Sequence, residues 1–295
     1  MQPRYAPMTL RSAVTSMLRH EDLNFLLTNR IPRRLATRFM GWFSRIEKPL
    51  VRDLSLALWR RCADLRLHEA EHTRFRSVHE CFTRRLHPGA RAIDPDAGVL
   101  TSPCDAIVGA CGKVRAGIAF QAKGFAYSLA DLFGDRDAAR RYEEGTYVTL
   151  RLTASMYHRF HAPYDCRVEH VTYLSGDTWN VNPIALARVE RLFCRNERAA
   201  MRLRLAAGEH AVSLVAVAAI LVAGIRFGFL DVPRHLRHAG RNEFPVDARF
   251  LKGEELGWFE HGSTILVFAP RGFRLDPRVS TGNVIRMGQP LLRLP

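Results

Sequence analysis

The stretch HPGARAIDPDAG, residues 87–98, divides the sequence into two parts with different patterns. Its prolines and glycines favour turns over helix or strand. Before it, from about residue 9 to residue 86, apolar residues recur at helical spacing, with Pro32 and Pro49 as boundaries between helical segments. After it, short runs of β-branched and apolar residues alternate with Gly, Asp and Asn, which is typical of strands joined by turns.

Four of these later runs have the composition of strands. They are TYVTLRL (146–152), RVEHVTYL (167–174), HAVSLVAVAAILV (210–222) and STILVFA (263–269). The segment KGFAYSLADLFG (123–134), with the charged stretch that follows, predicts one helical excursion. The sequence therefore predicts an α+β chain, in which a helical N-terminal region (1–86) packs on a mostly antiparallel β-sandwich core (87–295).

The charge of the chain points to an anionic partner. Of its 44 basic residues 40 are arginine, and the net charge is +15. Arginine pairs with phosphate in a bidentate fashion, which suits nucleic acid and an anionic membrane surface equally. However, no nucleic-acid-binding module with interleaved basic and aromatic residues is found, so nucleic acid is not expected as a partner.

The cysteines and the longest apolar run indicate the cellular compartment of the protein and the kind of membrane contact to expect. None of the six cysteines forms a C-x-x-C pair and no signal-peptide pattern opens the sequence, so reduced thiols in the cytoplasm are expected. The apolar run from Ala211 to Gly224 is shorter than the roughly 20 residues of a spanning helix. It reads as a buried strand, and any membrane contact is expected to be peripheral.

One N-terminal segment, IPRRLATRFMGWFSRIEK (31–48), has the pattern of a basic amphipathic helix. Apolar residues recur on one face and arginines lie nearby, and the first fifty residues carry nine Arg or Lys against three Asp or Glu. Such a helix can lie at an anionic lipid surface. Equally, an aromatic stripe at this spacing can pack on the protein's own core. The apolar face consists of Leu35, Phe39, Trp42, Phe43 and Ile46.

Three distant segments each contain polar residues that packing does not readily explain. They are Thr101-Ser102-Pro103-Cys104-Asp105, Tyr157-His158-Arg159-Phe160-His161, and His261-Gly262-Ser263-Thr264. An Asp, a His and a Ser could form a nucleophile, its base and an orienting carboxylate. Each segment also has an explanation without catalysis. The Asp could cap a turn, the two histidines could lie on the surface or bind a metal, and Gly-Ser-Thr could form a hairpin. Ligand spacing gives no support to a metal site.

In this order, the three segments resemble the markers of the phosphatidylserine decarboxylase family: a Ser-Pro-x-Asp turn, a Tyr-His-Arg-x-His strand end and a Leu-Gly-Ser-Thr processing site. One departure is His261, where the family usually has an apolar residue. Further segments from about residue 80 to the C-terminus are similar to the family as well. They are Phe82–Leu86, Pro88–Arg91, Lys123-Gly124, Tyr127–Leu129, Gly176-Asp177, Val181-Asn182, Asn196–Arg198, Lys252–Gly257, Phe259 and Val284–Gly288.

The resemblance implies a self-processing enzyme that converts phosphatidylserine to phosphatidylethanolamine. His161 would take the proton of the Ser263 hydroxyl while Asp105 orients the imidazole, and Ser263 would attack the carbonyl of Gly262. The chain would separate into 1–262 and 263–295, with Ser263 becoming a covalent pyruvoyl cofactor that condenses with the substrate amine. His158 is the candidate for the substrate step.

The resemblance also implies partners and a location. The two cleavage fragments would stay together as a heterodimer, and the enzyme would lie on an anionic phospholipid surface at the cytoplasmic face of the membrane; a homo-oligomer is left open. Other functions are left open too: decarboxylation of another aminophospholipid or a free amino acid, a serine hydrolase with an intact chain, and a non-enzymatic module like a lipoyl carrier. The hydrolase lacks a G-x-S-x-G elbow.

Overall fold

The computed structural model describes Asp22, Phe25, Leu26 and residues 32–121, 125–208, 210–220, 224–233, 235–236, 239–260 and 263–295. The fold is α+β, as predicted. The helices are α1 (Arg33–Phe43), α2 (Pro49–Cys62), a 3-10 turn (Leu67–Glu69), α3 (Val78–Phe82), α4 (Leu129–Phe133), α5 (Arg136–Arg140), α6 (Pro183–Leu186) and α7 (Leu192–Arg195).

The strands follow mainly after residue 98. They are β1 (Val99–Thr101), β2 (Ala106–Lys113), β3 (Ile118–Phe120), β4 (Ala126–Ser128), β5 (Thr146–Leu152), β6 (Arg159–His161), β7 (Cys166–Leu174), β8 (Arg198–Leu205), β9 (Ala211–Ala218), β10 (Ile225–Phe227), β11 (Arg241–Phe250), β12 (Glu255–Phe259), β13 (Ser263–Ala269), β14 (Arg274–Leu275), β15 (Val284–Ile285) and β16 (Pro290–Arg293).

The centre of the fold is an antiparallel sheet of eight strands in the order β11-β7-β8-β9-β13-β5-β2-β15. Two of the four predicted strands, 146–152 and 263–269, have the predicted ends and pair with each other in this sheet. The strand predicted from the apolar run at 210–222 ends earlier, at Ala218, and residues 221–223 lie outside the described part. Because β13 has neighbours on both sides, both of its backbone edges are hydrogen-bonded.

Two smaller sheets complete the predicted sandwich. One has the strand order β10-β12-β6 and the other β1-β16-β14. A buried apolar cluster joins them to one face of the large sheet, since it combines Phe160 and Leu292 of the small sheets with Val267 of β13. Alternating residues of the same strands, such as Leu266 and Phe268, face the other way into a second cluster under helices α4 to α7.

The predicted helical excursion at residues 123–134 is only partly helical. Residues Ala126–Ser128 instead form β4, which pairs with β3, and helix α4 begins at Leu129. The side chain of Ser128 caps this helix by accepting a hydrogen bond from the Asp131 backbone N–H. Residues 122–124, including Lys123 and Gly124, lie outside the described part.

The helical N-terminal region begins its described helices where the prolines predict. Pro32 precedes α1 and Pro49 is the first residue of α2. The prediction of helix through to residue 86 is wrong for residues 63–77, which contain only the 3-10 turn, and for residues 83–86, which follow α3. Helix α2 has already ended at Cys62, and Arg66 in the segment that follows has a positive φ of 43°, which is incompatible with regular helix. Residues 9–21 of that prediction lie outside the described part.

The predicted apolar face of α1 is largely exposed and does not pack on the core. Leu35, Phe39 and Trp42 are 64%, 60% and 64% exposed, while Thr37 on the other side of the helix is buried. Helix α2 adds further exposed leucines, Leu50, Leu54 and Leu58. We call these six residues the apolar helix face. No helix in the described ranges has the length and hydropathy needed to cross a membrane.

Candidate active site

Asp105 occupies a buried position in the turn that leads into β2. Arg91 holds its carboxylate in a bidentate pair, with Nε donating to Oδ1 at 2.9 Å and Nη2 donating to Oδ2 at 2.5 Å. The Met287 backbone N–H donates to Oδ1 at 2.9 Å. Arg91 also donates to Glu69 at 2.8 Å. Asp105 is therefore a fixed buried anion balanced by one guanidinium.

His161 is the last residue of β6 and is almost fully buried. Its Nδ1 lies 2.9 Å from the carbonyl oxygen of Gly253. A carbonyl only accepts, so Nδ1 carries the proton and Nε2 is left as the basic nitrogen. The hydroxyl of Tyr157 donates to Nε2 at 3.0 Å. Burial lowers the pKa of His161 from its ordinary value, so the imidazole is neutral and able to act as a base at neutral pH.

The backbone brings the Asp105 and His161 segments together. The N–H of His161 donates to the carbonyl of Pro103 at 2.8 Å, and the N–H of Thr101 donates to the carbonyl of Pro163 at 2.9 Å. Their side chains do not meet, however: within the described residues, Asp105 bonds Arg91 and Met287 while His161 bonds Tyr157 and Gly253. In this state the Gly253 carbonyl selects the histidine tautomer, and Asp105 acts on His161 through its charge alone.

Ser263 begins β13 at the end of the large sheet that lies nearest Asp105. It is fully buried, and its hydroxyl has no hydrogen-bond partner among the described residues. Ser263 lies opposite Leu152 of β5, and Ile107 of β2 lies opposite Arg151. The starts of β2 and β13 are thus two strand spacings apart, about 10 Å. His261 and Gly262, on the other side of the predicted cleavage point, lie outside the described residues.

His158 lies just before β6 and has different partners from His161. Its Nδ1 donates to the carbonyl of Met156 at 2.8 Å, and its ring packs on Phe82 with centroids 3.9 Å apart. Its own carbonyl accepts from the N–H of Phe259, at the end of β12 that leads toward Ser263. The two histidines thus face separate surroundings although they are three residues apart.

A cavity of about 680 Å³ opens beside Ser263. Its wall is mostly apolar and comes from α1, α2 and α3 on one side and from the end of the large sheet on the other. The lining residues include Phe43, Leu58, Trp59, Phe82, Arg151 and Ser263. Phe82 separates His158 from this space, and Leu58 belongs to both the cavity wall and the apolar helix face. The cavity therefore connects the buried serine to the exposed apolar surface.

Comparison with known proteins identifies the family of this chain. The family model for phosphatidylserine decarboxylase matches residues 78–293. Similar proteins include the phosphatidylserine decarboxylase proenzymes of Anaeromyxobacter sp. (strain K), 38% identical over 88% of this chain and 94% of the relative, and of Halorhodospira halophila (strain DSM 244 / SL1), 36% identical over 90% and 91%. The chain belongs to the phosphatidylserine decarboxylase family. The match begins within α3, so the apolar helix face precedes it.

Family resemblance predicted the Asp, His and Ser segments as the site but did not predict the groups that hold these residues. Arg91, Glu69 and the Gly253 carbonyl were not predicted to act at the site. Arg91 and Gly253 do fall within segments that are similar to the family, and that was the only signal pointing to them. Glu69 lies outside those segments, in the 3-10 turn, and only the folded chain brings it to Arg91.

The buried Arg91 pair makes a stability prediction for this decarboxylase family member. Arg91→Met removes the guanidinium from Asp105 and Glu69, whose side chains are both largely buried. An uncompensated buried charge typically costs about 3–5 kcal/mol, so we expect the free energy of unfolding to fall by that amount. Urea unfolding of the Ser263→Ala single chain, with and without Arg91→Met, measures it.

Arg140→Met is the matched control, because Arg140 pairs with Asp137 on the surface. We expect it to change the free energy of unfolding by less than about 0.5 kcal/mol. Equal effects of the two substitutions would contradict the structural role given to Arg91.

Proposed function

We propose that this protein is a proenzyme that cuts itself between Gly262 and Ser263 and then decarboxylates phosphatidylserine to phosphatidylethanolamine. The observation that carries the proposal is the Ser263 hydroxyl, which is buried and unbonded among the described residues at the edge of a largely apolar cavity. A buried polar group without a partner is costly, so its retention calls for a function. Membership of the family supplies the reaction.

The self-cleavage step uses the hydroxyl of Ser263 as nucleophile. Its oxygen attacks the Gly262 carbonyl carbon, the peptide C–N bond breaks, and an ester replaces the amide. Loss of the Ser263 Cα proton then breaks the Cβ–O bond and releases the Gly262 carboxylate, leaving dehydroalanine. Water converts that group to a ketone and ammonia. We assign the first proton transfer to Nε2 of His161, which requires movement that joins it to Ser263.

Asp105 has an electrostatic role in this proposal. Its fixed carboxylate favours the protonated form of His161 that follows the first transfer, which partly offsets the effect of burial on that pKa. Arg91 and the Met287 N–H keep the carboxylate in place. Direct contact between Asp105 and the imidazole, as the family resemblance implies, would require the Asp105 side chain to exchange one of these partners.

The mature site fits a covalent pyruvoyl group at residue 263. The residue sits at the head of a strand paired on both sides, so both cleavage fragments are expected to remain in one sheet. When present, the pyruvoyl group supplies a ketone that accepts the electron pair left by departing carbon dioxide. The largely apolar cavity wall, which includes Phe82, surrounds residue 263 with few polar groups. We assign His158 to proton supply in the substrate step, which requires the Phe82 ring between His158 and the cavity to move aside.

The lipid substrate is expected to enter from a membrane surface. Leu58 connects the cavity wall to the exposed leucines and aromatics of α1 and α2. A positively charged protein with an exposed apolar face binds peripherally to anionic bilayers. We therefore place the enzyme on an anionic phospholipid surface, at the cytoplasmic face of the membrane, with acyl chains reaching the cavity past Leu58.

The function is tested by mass and by product. Purified protein, denatured and measured as intact chains, should give fragments 1–262 and 263–295, the smaller with a blocked N-terminus that borohydride plus an amine modifies. The same preparation should release carbon dioxide from phosphatidylserine. A full-length species in an active preparation would overturn self-cleavage, and fragments that fail to act on phosphatidylserine would overturn the substrate.

The apolar helix face makes a separate membrane prediction. Phe39→Ser combined with Trp42→Ser removes two exposed aromatics that contact each other. Burying one large apolar side chain contributes about 1.5–3 kcal/mol, so we expect vesicle binding to weaken at least about tenfold. Co-sedimentation with vesicles of phosphatidylcholine and phosphatidylglycerol measures it.

The control for membrane binding is Leu251→Ser, because Leu251 is equally exposed but lies in the loop between β11 and β12. We expect this variant to bind vesicles within about twofold of the unchanged protein. Loss of binding by both variants to the same degree would contradict a specific role for α1.

A further inference from the structure

One arginine in the cavity wall has no role in the proposed chemistry. Arg151 is the next-to-last residue of β5 and lines the cavity together with Ser263. It is partly buried, yet within the described part of the chain no hydrogen bond or ion pair engages its guanidinium. Burial lowers the pKa of Arg151, with no anion to oppose the effect. A partly desolvated cation without a partner is costly to keep.

Other buried arginines of this protein donate to groups of the fold, although Nε of Arg84 has no partner among the described residues. Arg84 donates to the carbonyls of Cys81, Leu65 and Ser155. Arg198 donates to four backbone carbonyls around α4 and α7. Arg159 pairs with Glu255 at 2.6 Å. Arg151 differs from these because it lines a cavity and no group of the described residues bonds its guanidinium, which is the arrangement expected of a residue that binds a ligand.

The position of Arg151 relates it directly to the reacting residue. It lies opposite Thr264 in the β5–β13 pair, and Ser263 lies opposite Leu152. Neighbouring residues of a strand point to opposite faces, so Arg151 and Ser263 project from opposite faces of the sheet end, and the cavity reaches both. An anion bound to Arg151 is thus held at a fixed distance from residue 263.

The head group of phosphatidylserine has two anions that could bind there. The carboxylate loses its charge as carbon dioxide leaves, so a guanidinium on it would stabilise the ground state more than the transition state. The phosphodiester keeps its charge throughout. Binding it contributes equally before and after the reaction and orients the amino end of the head group. Arginine also matches phosphate oxygens with two parallel donors.

We infer that Arg151 binds the phosphodiester of the aminophospholipid head group and so positions its amino end at residue 263. This inference rests on the proposed function and names the recognition element of that same site. It also predicts the substrate class: an amino acid joined to a phosphodiester is bound, and a free amino acid, which lacks that group, is not.

The test compares Arg151→Gln with the unchanged protein, using water-soluble short-chain phosphatidylserine as substrate and short-chain phosphatidylethanolamine as inhibitor. Intact mass first establishes that the variant is cleaved. We expect KM to rise about 10- to 100-fold, the range for a lost charged hydrogen-bond pair, with a smaller change in kcat. The inhibition constant of phosphatidylethanolamine, which keeps the phosphodiester and lacks the carboxylate, should rise by a similar factor.

Each outcome decides for or against the inference. A raised KM with an unchanged inhibition constant would assign Arg151 to the carboxylate and overturn it, as would no change in either constant. Arg140→Gln, a surface arginine, is the matched control and should leave both constants unchanged. If the unchanged protein does not act on phosphatidylserine, the proposed function fails, whatever Arg151 does.

Arg151→Lys is a second variant that tests the inference if Arg151→Gln is not cleaved. Lysine keeps the positive charge and loses the two parallel donors. KM and the inhibition constant of phosphatidylethanolamine should therefore rise, but by a factor several-fold smaller than in Arg151→Gln. If neither variant is cleaved, Arg151 serves folding or processing and the inference is overturned.

Discussion

Ser263→Ala leaves the protein as one chain of 295 residues and lowers phosphatidylserine decarboxylation to the assay background, at least about 10,000-fold. Alanine has no hydroxyl to attack the Gly262 carbonyl, and no other group can become the ketone at that position. The fold should survive, because Ser263 is buried with its hydroxyl unbonded among the described residues. Intact mass and release of carbon dioxide measure the two effects.

Ser280→Ala is the control, since Ser280 is an exposed serine of the same C-terminal segment. It should be cleaved and active like the unchanged protein. Residual decarboxylation by Ser263→Ala at more than a trace would contradict the role given to this hydroxyl.

Hydroxylamine, added to the unchanged protein while it matures, tests for the ester between Ser263 and Gly262. It cleaves that ester and should yield a smaller fragment that begins with an unmodified serine.

His161→Asn slows self-cleavage about 100- to 10,000-fold, the usual contribution of a positioned general base. Asparagine keeps a donor for the Gly253 carbonyl but lacks the basic Nε2. Freshly synthesised protein, sampled over time by denaturing electrophoresis, should therefore accumulate as the full-length chain. Cleavage at the unchanged rate would remove His161 from the mechanism.

The pH dependence of maturation follows from the same histidine. Burial lowers the pKa of His161, so the neutral base is the main form at neutral pH and is lost only as the pH falls through that lowered value. The rate of self-cleavage should be constant near neutral pH and should decline only at pH values below the ordinary pKa of histidine. Tyr157→Phe removes the hydrogen bond to Nε2 but keeps the base, so it serves as the control and should be cleaved.

Much of the fold follows from local pattern. The strands at 146–152 and 263–269 were predicted with their observed ends, because an apolar run between turn residues fits a buried strand. Pro32 and Pro49 marked helix starts for an equally local reason. The helix predicted across 63–77 was wrong, because contacts such as Arg84 with Leu65 and Ser155 hold that segment in an irregular path.

The partners of the site residues could not be predicted, because they lie far apart in the chain. Arg91 meets Asp105 and Glu69 only after the turn before β1 folds against the 3-10 turn, and Gly253 reaches His161 from a loop 92 residues away. Whether the aromatic stripe of α1 packs inward or faces solvent was equally undetermined by its spacing. Burial depends on what the rest of the chain places against each side chain.

The amino-acid sequence by itself determined the α+β class and the principal strands and, through family resemblance, predicted a site made of Asp105, His161 and Ser263. Periodicity and short motifs are local properties, so they can be read without a fold. Only the tertiary structure decided that Arg91 balances Asp105, that the apolar helix face is exposed and that Arg151 faces the cavity. These three features depend on long-range packing, which decides whether a charged side chain is paired within the fold or left to bind a ligand.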